Sequence, residues 1–157
     1  MKKKILCLSI LVLLLDQISK IICEVNLTLN KPVIIIKNFF NITYVQNSGA
    51  AWSMFAGQRL VLILISIAAL YLINSFIKDF KESTKNIIAF SLLLGGLMGN
   101  LIDRIIFGYV RDFLDFKIFG YDYPIFNIAD IGIFIGVVLI IITIIKGEND
   151  GSIRRKK

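Results

Sequence analysis

The residues of this chain best suited to catalysis are two aspartates, Asp112 and Asp130, each near one end of an apolar segment. If those segments cross a membrane in opposite directions, both carboxylates return to about the same depth. Two close carboxylates cannot both ionise cheaply, so one holds a proton near neutral pH while the other stays charged. The ionised one can activate water and the protonated one can protonate a leaving amide nitrogen. This pattern predicts hydrolysis of a peptide bond.

A structural interpretation of the same aspartates stays open at this point. Asp112 could cap a helix or pair with Arg111, and Asp130 could cap the start of a helix, with Asn127 one turn earlier. The chain has no histidine, which removes the usual general base of serine and cysteine hydrolases and the commonest zinc ligand. Hydrolysis by this chain must therefore rest on carboxylates, lysine or amides.

Further ionisable residues lie inside apolar segments, where a charge costs roughly 3 kcal/mol and therefore marks candidate functional sites. Asp16 and Lys20 are one helical turn apart and can form an ion pair that either orients their helix or takes part in catalysis. Asn100, Asp103 and Arg104 share one face of another helix. Asp103 and Arg104 could equally form a structural pair.

Small residues occur in two places beside these polar groups. Gly95, Gly96 and Gly99 precede Asn100 and predict close approach of a neighbouring helix. Residues 47–52, with the sequence NSGAAW, could let a peptide pass close to the backbone while an amide holds it. They could also form an ordinary turn entering the membrane interface, where a tryptophan is expected.

The elements that carry these residues are four predicted transmembrane helices. A hydrocarbon layer about 30 Å thick needs roughly 20 helical residues, and four apolar segments are long enough, at about residues 5–23, 60–77, 87–107 and 125–145. The first also resembles a secretory signal peptide, but no small-residue cleavage site follows it, so we expect an uncleaved anchor. The chain is predicted to be a single integral membrane domain.

Lysine and arginine positions predict the orientation, because short loops rich in these residues stay cytoplasmic. Most of them fall on one side of the predicted spans: Lys2, Lys3, Lys4, Lys78, Lys81, Lys85, Lys146, Arg154, Arg155, Lys156 and Lys157. We therefore expect both termini and a tail at residues 146–157 in the cytoplasm. Residues 24–59 and 108–124 would then be extracytoplasmic, and Asp112 and Asp130 would lie near that face.

The longer outer segment predicts a small β-sheet between the first two helices. Residues 33–45 are rich in β-branched and aromatic side chains, and Lys37 and Asn38 form a plausible turn between two strands. We expect this sheet to rest on the outer membrane surface. Asp115 and Asp122 are interpreted as solvated residues of the second outer segment.

Composition narrows the class of protein. The chain has 157 residues, is 57% hydrophobic and carries a formal net charge of +7, with a mean hydropathy of +0.79. Basic residues between long apolar segments indicate the anionic inner leaflet, so no nucleic-acid partner is expected. Cys7 and Cys23 share one apolar segment and are interpreted as packing residues rather than as a disulfide or redox pair.

Five short motifs resemble, in order and spacing, those of the lipoprotein signal peptidase family, also called signal peptidase II. They are DQISK at residues 16–20, NSGAAW at 47–52, GGLMGNLIDR at 95–104, VRDF at 110–113 and FNIAD at 126–130. Each motif alone is weak, but the five together span nearly the whole chain. Gln46 and Ile131 depart from the family pattern, which often has a basic residue and a serine there.

The resemblance implies a bacterial aspartic endopeptidase of four transmembrane helices with an outer β-cradle, in the cytoplasmic membrane. It would remove signal peptides from diacylglyceryl-modified prolipoproteins by cutting before the lipidated cysteine, with Asp112 and Asp130 as the catalytic dyad. Other positions would bind substrate or support the dyad: Asn47, Gly49, Asn100, Arg104, Asn127 and Ala129. Asp16, Lys20 and Asp103 would support the structure. No metal or organic cofactor is implied, and the partners would be the precursors and membrane lipids, with the enzyme acting as a monomer.

Two other classes of function remain as alternatives. Buried acids also form proton relays in transporters, but the second predicted span is nearly all apolar, which counts against a polar path through the membrane. A non-catalytic membrane assembly factor would use the glycine face of the third span as an interface. In that case Asp112 and Asp130 would be structural residues only.

Overall fold

The computed structural model describes residues 1–49 and 54–148. Residues 50–52 of the predicted NSGAAW motif lie outside the described residues, as do residues 149–157 of the predicted cytoplasmic tail.

Among the described residues, four helices are long and apolar enough to cross a membrane. They are α1 at Lys2–Asn26, α2 at Arg59–Phe76, α3 at Thr84–Ile106 and α4 at Ile128–Ile145, and a short 3-10 turn at Ile77–Asp79 continues α2. Helix α3 lies at the centre of the bundle, because 67% of its most apolar stretch is buried against 17–22% for the other three. The central position of α3 explains why the polar residues it carries are enclosed by protein.

Glycines on α3 let the flanking helices approach its backbone. A methyl group added at Gly96 would collide with the backbone carbonyl oxygen of Ala129 in α4, and one added at Gly99 would collide with the carboxylate of Asp16 in α1. Small residues are the usual means of such close packing in membranes. The glycine face therefore brings polar groups of α1 and α4 within hydrogen-bonding reach of α3.

A four-stranded antiparallel sheet lies at the end of the bundle where α1 and α3 finish, in the order β1-β2-β3-β4. The strands are β1 at Val33–Ile36, β2 at Phe40–Asn47, β3 at Val110–Ile118 and β4 at Tyr121–Asp122. The predicted turn joins β1 to β2, and Asn38 adopts the left-handed conformation there, with φ 60°. The small sheet predicted between α1 and α2 is thus confirmed.

The sheet is larger than the sequence indicates, because β3 and β4 follow α3. Charged residues within β3 hide its β-pattern. Asp115, interpreted as a solvated loop residue, lies in β3 and accepts hydrogen bonds from Thr43 Oγ1 (2.6 Å) and Asn41 Nδ2 (3.2 Å). This pairing of β2 with β3 aligns Asn47 with Val110 and brings two predicted motifs together.

Candidate active site

The two candidate catalytic aspartates meet where β3 and α4 begin. Asp112 is 2% exposed in β3, and Asp130 is the third residue of α4. Asn127, which is fully buried, contacts both. Its side-chain Nδ2 donates to Asp112 Oδ1 (2.6 Å), and its backbone N–H donates to Asp130 Oδ2 (3.1 Å). The two carboxylates are therefore linked through a single asparagine.

Two more asparagines hold the outer oxygens of the pair. Asn47 Nδ2 donates to Asp112 Oδ2 (2.9 Å), and Asn100 Nδ2 donates to Asp130 Oδ1 (2.8 Å). Asn127 also donates to Asn100 Oδ1 (3.1 Å). Every carboxylate oxygen of the two aspartates thus accepts a hydrogen bond from a neutral amide, which fixes the orientation of both side chains.

The environment of Asp112 favours its protonated form. Burial raises the pKa of this carboxyl most, the nearby charge of Asp130 raises it further, and the hydrogen bonds from Asn47 and Asn127 oppose the rise. The resulting pKa is about 7. Near neutral pH, Asp112 can therefore either carry or release a proton, which is the property that acid–base catalysis requires.

The structural alternative for these aspartates is half right. Asp130 does cap α4, because its side chain and that of Asn127 form a reciprocal capping box. Asp112 does not pair with Arg111, whose guanidinium binds Asp103 and Glu24 instead. The cap uses Oδ2 of Asp130, which accepts the backbone N–H of Asn127. Oδ1 accepts only from the side chain of Asn100, so the cap does not prevent this carboxylate from taking part in catalysis.

A buried lysine, Lys20, binds two aspartates and one of the three asparagines. Lys20 Nζ binds Asp16 Oδ2 (2.8 Å) and Asp103 Oδ2 (3.3 Å), and all three side chains are 0% exposed. Lys20 Nζ also donates to Asn100 Oδ1 (2.9 Å). The side-chain amide of Asn100, which donates to Asp130, therefore connects the lysine charge to that carboxylate.

Asp16 carries a second contact that orients α4. Its Oδ1 accepts the backbone N–H of Ala129 (3.0 Å), next to Asp130, and Ala129 is fully buried. The predicted pair Asp16–Lys20 therefore joins α1 to both α3 and α4.

Three residues of this network are absent from the predicted site. Arg111 Nη2 donates to Asp103 Oδ1 (2.8 Å) and to Gln17 Oε1 (2.9 Å), and Arg111 Nη1 donates to Glu24 Oε2 (2.9 Å). Asp103 thus pairs with Arg111 and Lys20, whereas the pairing suggested by its neighbour in sequence was with Arg104. Gln17 and Glu24 lie on the same helical face as Lys20, which could have placed them near the site but not have identified Arg111 as their partner.

Arg104 lies beside the aspartates and retains a free donor. Its Nη2 donates to the carbonyl oxygen of Gly49 (3.1 Å), whose own N–H binds Asn47 Oδ1 (2.9 Å). Within residues 1–49 and 54–148, the buried Nε of Arg104 has no hydrogen-bond partner. An unpaired buried donor is costly, so this atom can bind an additional acceptor.

Comparison with protein families gives one match over most of the chain. A family model described as signal peptidase (SPase) II matches residues 8–146. Lipoprotein signal peptidases of Staphylococcus aureus strains JH9 and Newman are each 42% identical over 144 residues, which cover 91% of this chain and 88% of each relative.

Comparison with solved structures gives the same architecture. One bacterial membrane enzyme, solved by the in meso method, superimposes with a TM-score of 0.84 at 40% identity, covering 98% of this chain and 92% of that chain. A second, described in the same way, gives a TM-score of 0.81 at 40% identity, with 90% and 92% covered.

Proposed function

The chain belongs to the signal peptidase II family of aspartic proteases that cleave lipoprotein signal peptides, and on that premise we propose that Asp112 and Asp130 are its catalytic dyad. The observation that carries this proposal is their joint attachment to buried Asn127. Burial and the charge of Asp130, which together raise the pKa of Asp112 to about 7, support it further.

Hydrolysis follows from one shared proton. The ionised carboxylate takes a proton from water, and the water oxygen attacks the scissile carbonyl carbon. The protonated carboxyl then donates to the amide nitrogen as the C–N bond breaks. The carboxylic acid product passes its proton to the new amine, both products leave, and the dyad again holds a single proton. Asn47, Asn100 and Asn127 keep both carboxyl groups oriented through this cycle.

Arg104 has the free donor suited to the substrate. While its Nη2 holds Gly49, its Nε can donate to a peptide carbonyl oxygen at the site. The family departures at Gln46 and Ile131 lie beside this region. Gln46 Nε2 binds the hydroxyl of Tyr109 (2.9 Å), so its amide is engaged within the protein.

The substrate we propose is a prolipoprotein whose cysteine carries a diacylglyceryl group, cut immediately before that cysteine. Its acyl chains can remain in lipid while the scissile bond reaches the aspartates at the end of the bundle. Anchoring in the membrane then supplies much of the positioning that soluble proteases obtain from a large peptide cleft. This substrate suits an enzyme whose described soluble part is one small sheet.

The enzyme is a membrane protein, and we propose which side of the membrane each end of the helices occupies. We place both termini in the cytoplasm because lysines cluster at that end of the helices. The aspartates then lie near the extracytoplasmic face of the bacterial cytoplasmic membrane. We propose that a monomer suffices, since Asn47, Asn100 and Asn127 of one chain already bind all four carboxylate oxygens of Asp112 and Asp130.

One experiment tests the proposed substrate. Purified protein in detergent is incubated with a precursor carrying the diacylglyceryl cysteine and with the same precursor lacking it, and release of the signal peptide is measured. We expect cleavage of the lipid-modified precursor and at least about 100-fold slower cleavage of the other, because anchoring contributes strongly to effective concentration. Equal cleavage of both would contradict the proposed specificity.

A further inference from the structure

A groove of about 690 Å³ lies at the opposite end of the bundle from the aspartates, between the beginnings of α1 and α3. Its walls are apolar, with Cys7 and Leu8 on α1 and Ile87 and Ile88 on α3. Leu8 is 38% exposed and Ile88 is 41% exposed. No polar group of the dyad network reaches this groove, so it is separate from the candidate active site.

The rim of the groove is cationic. Lys3, Lys4 and Thr84 line it together with the apolar walls. Lys4 Nζ is paired with Glu82 Oε1 at 2.8 Å, whereas Lys3 has no ion-pair partner in the described part of the chain. Thr84 is the first residue of α3, whose start is capped by the Ser83 side chain accepting from a backbone N–H; the helix dipole still adds partial positive charge there.

We propose that this groove binds an anionic phospholipid, with its phosphate at Lys3 and one acyl chain along the apolar walls. The basic rim of the groove complements a negatively charged headgroup, and its apolar walls complement an acyl chain. Basic pockets between transmembrane helices at the cytoplasmic side suit anionic headgroups for the same reason.

A lipid fits this groove better than a partner helix does. From Lys3 to Leu8, α1 advances about 7.5 Å at 1.5 Å per residue, so the described walls cover only the depth of a headgroup and the first part of an acyl chain. Apolar residues of α1 beyond the groove are also exposed, Leu11, Leu15 and Ile22 among them, but the lysines lie only at the rim of the groove. Charge matching therefore favours a lipid headgroup over an apolar partner helix. Charge at the rim and a short apolar wall together indicate a lipid.

Lipid binding can be measured by native mass spectrometry of the detergent-solubilised protein, titrated with phosphatidylglycerol or phosphatidylcholine. We expect tighter retention of phosphatidylglycerol. Lys3→Gln should weaken that binding about fivefold, since one basic residue near an anionic lipid contributes on that order. Glu82→Gln should strengthen it, because this acid neutralises part of the rim.

Matched variants locate the lipid. Lys37→Gln removes the same charge in the β1–β2 turn and should leave the affinity unchanged. Ile88→Trp fills the groove and should reduce binding, whereas Ile65→Trp, at a 50% exposed position of α2, should not. Equal retention of the two lipids, or equal losses for Lys3→Gln and Lys37→Gln, would overturn the proposal. So would unchanged binding in Ile88→Trp, which would favour the smaller groove on the other side of α1 that also includes Lys3. None of these outcomes depends on the dyad.

Discussion

Replacement of Asp112 by asparagine should lower the rate of signal-peptide release by roughly 10²- to 10⁴-fold, the range expected for loss of an acid–base group. The side chain keeps nearly the same shape and an acceptor oxygen, but it can no longer carry and release a proton. Asp130→Asn should have an effect of the same order. It retains a carbonyl oxygen for the backbone N–H of Asn127, so the start of α4 should stay capped.

Asp115→Asn is the matched control for this prediction. Asp115 lies on the same strand as Asp112 and also accepts two side-chain hydrogen bonds, but it does not contact the proposed dyad. Purified variants should be compared by single-turnover cleavage of the lipid-modified precursor and by thermal unfolding in detergent. Full turnover by folded Asp112→Asn or Asp130→Asn would exclude that aspartate from catalysis.

Lys20→Met should destabilise the protein by roughly 3–5 kcal/mol, the usual effect of removing one partner from a buried ion pair. Methionine has a similar length and no charge, so Asp16 and Asp103 would be left with less compensation in a site that is 0% exposed. Asn100 would also lose its donor from Lys20 and with it part of its orientation toward Asp130. We therefore expect cleavage to fall together with the thermal stability.

The exposed pair Lys117–Asp122 provides the comparison. Its side chains are separated by 3.2 Å and are 42% and 78% exposed, so Lys117→Met should change the stability by less than about 1 kcal/mol. Thermal unfolding of the two variants in the same detergent measures the contrast. Similar small losses for Lys20→Met and Lys117→Met would mean that the buried lysine is not needed to hold Asp16 and Asp103.

Much of this architecture is predictable from the sequence because a bilayer leaves few choices. Backbone groups in lipid must bond within the segment, so apolar segments of sufficient length become helices. Polar residues that interrupt such segments are then conspicuous. Asp16, Lys20, Asn100 and Asp103 all belong to the buried network around the aspartates.

Pairing partners were harder to predict, because they depend on elements far apart in the chain. Arg104 follows Asp103 directly, yet consecutive helical residues point in different directions, and Arg111 takes the pairing instead. Arg111 reaches Asp103 only because the chain turns back after α3 and begins β3. Neither Glu24 nor Gln17 interrupts an apolar pattern strongly enough to indicate its contact with Arg111.

Strand β3 cannot be recognised from the sequence pattern either, because its charged residues bind partners that are distant in the chain. Its sequence, VRDFLDFKI, places charged groups among apolar ones, because both faces of the first half of the strand are buried. Arg111 binds Asp103 and Asp112 binds Asn127, while Asp115 binds side chains of β2. The usual alternation of apolar and polar residues assumes an apolar core on one side. Where the core beneath a strand is an ionic site, that pattern is lost.

The dependence of single-turnover cleavage on pH tests most directly whether one proton is shared by Asp112 and Asp130. Because burial and the charge of Asp130 raise the pKa of Asp112 to about 7, the singly protonated pair should lose its proton as the pH rises through that value. The rate should then fall about tenfold per pH unit above pH 7, in the wild type and in Asp115→Asn alike. A rate that stays level or increases up to pH 9 would contradict the shared-proton mechanism.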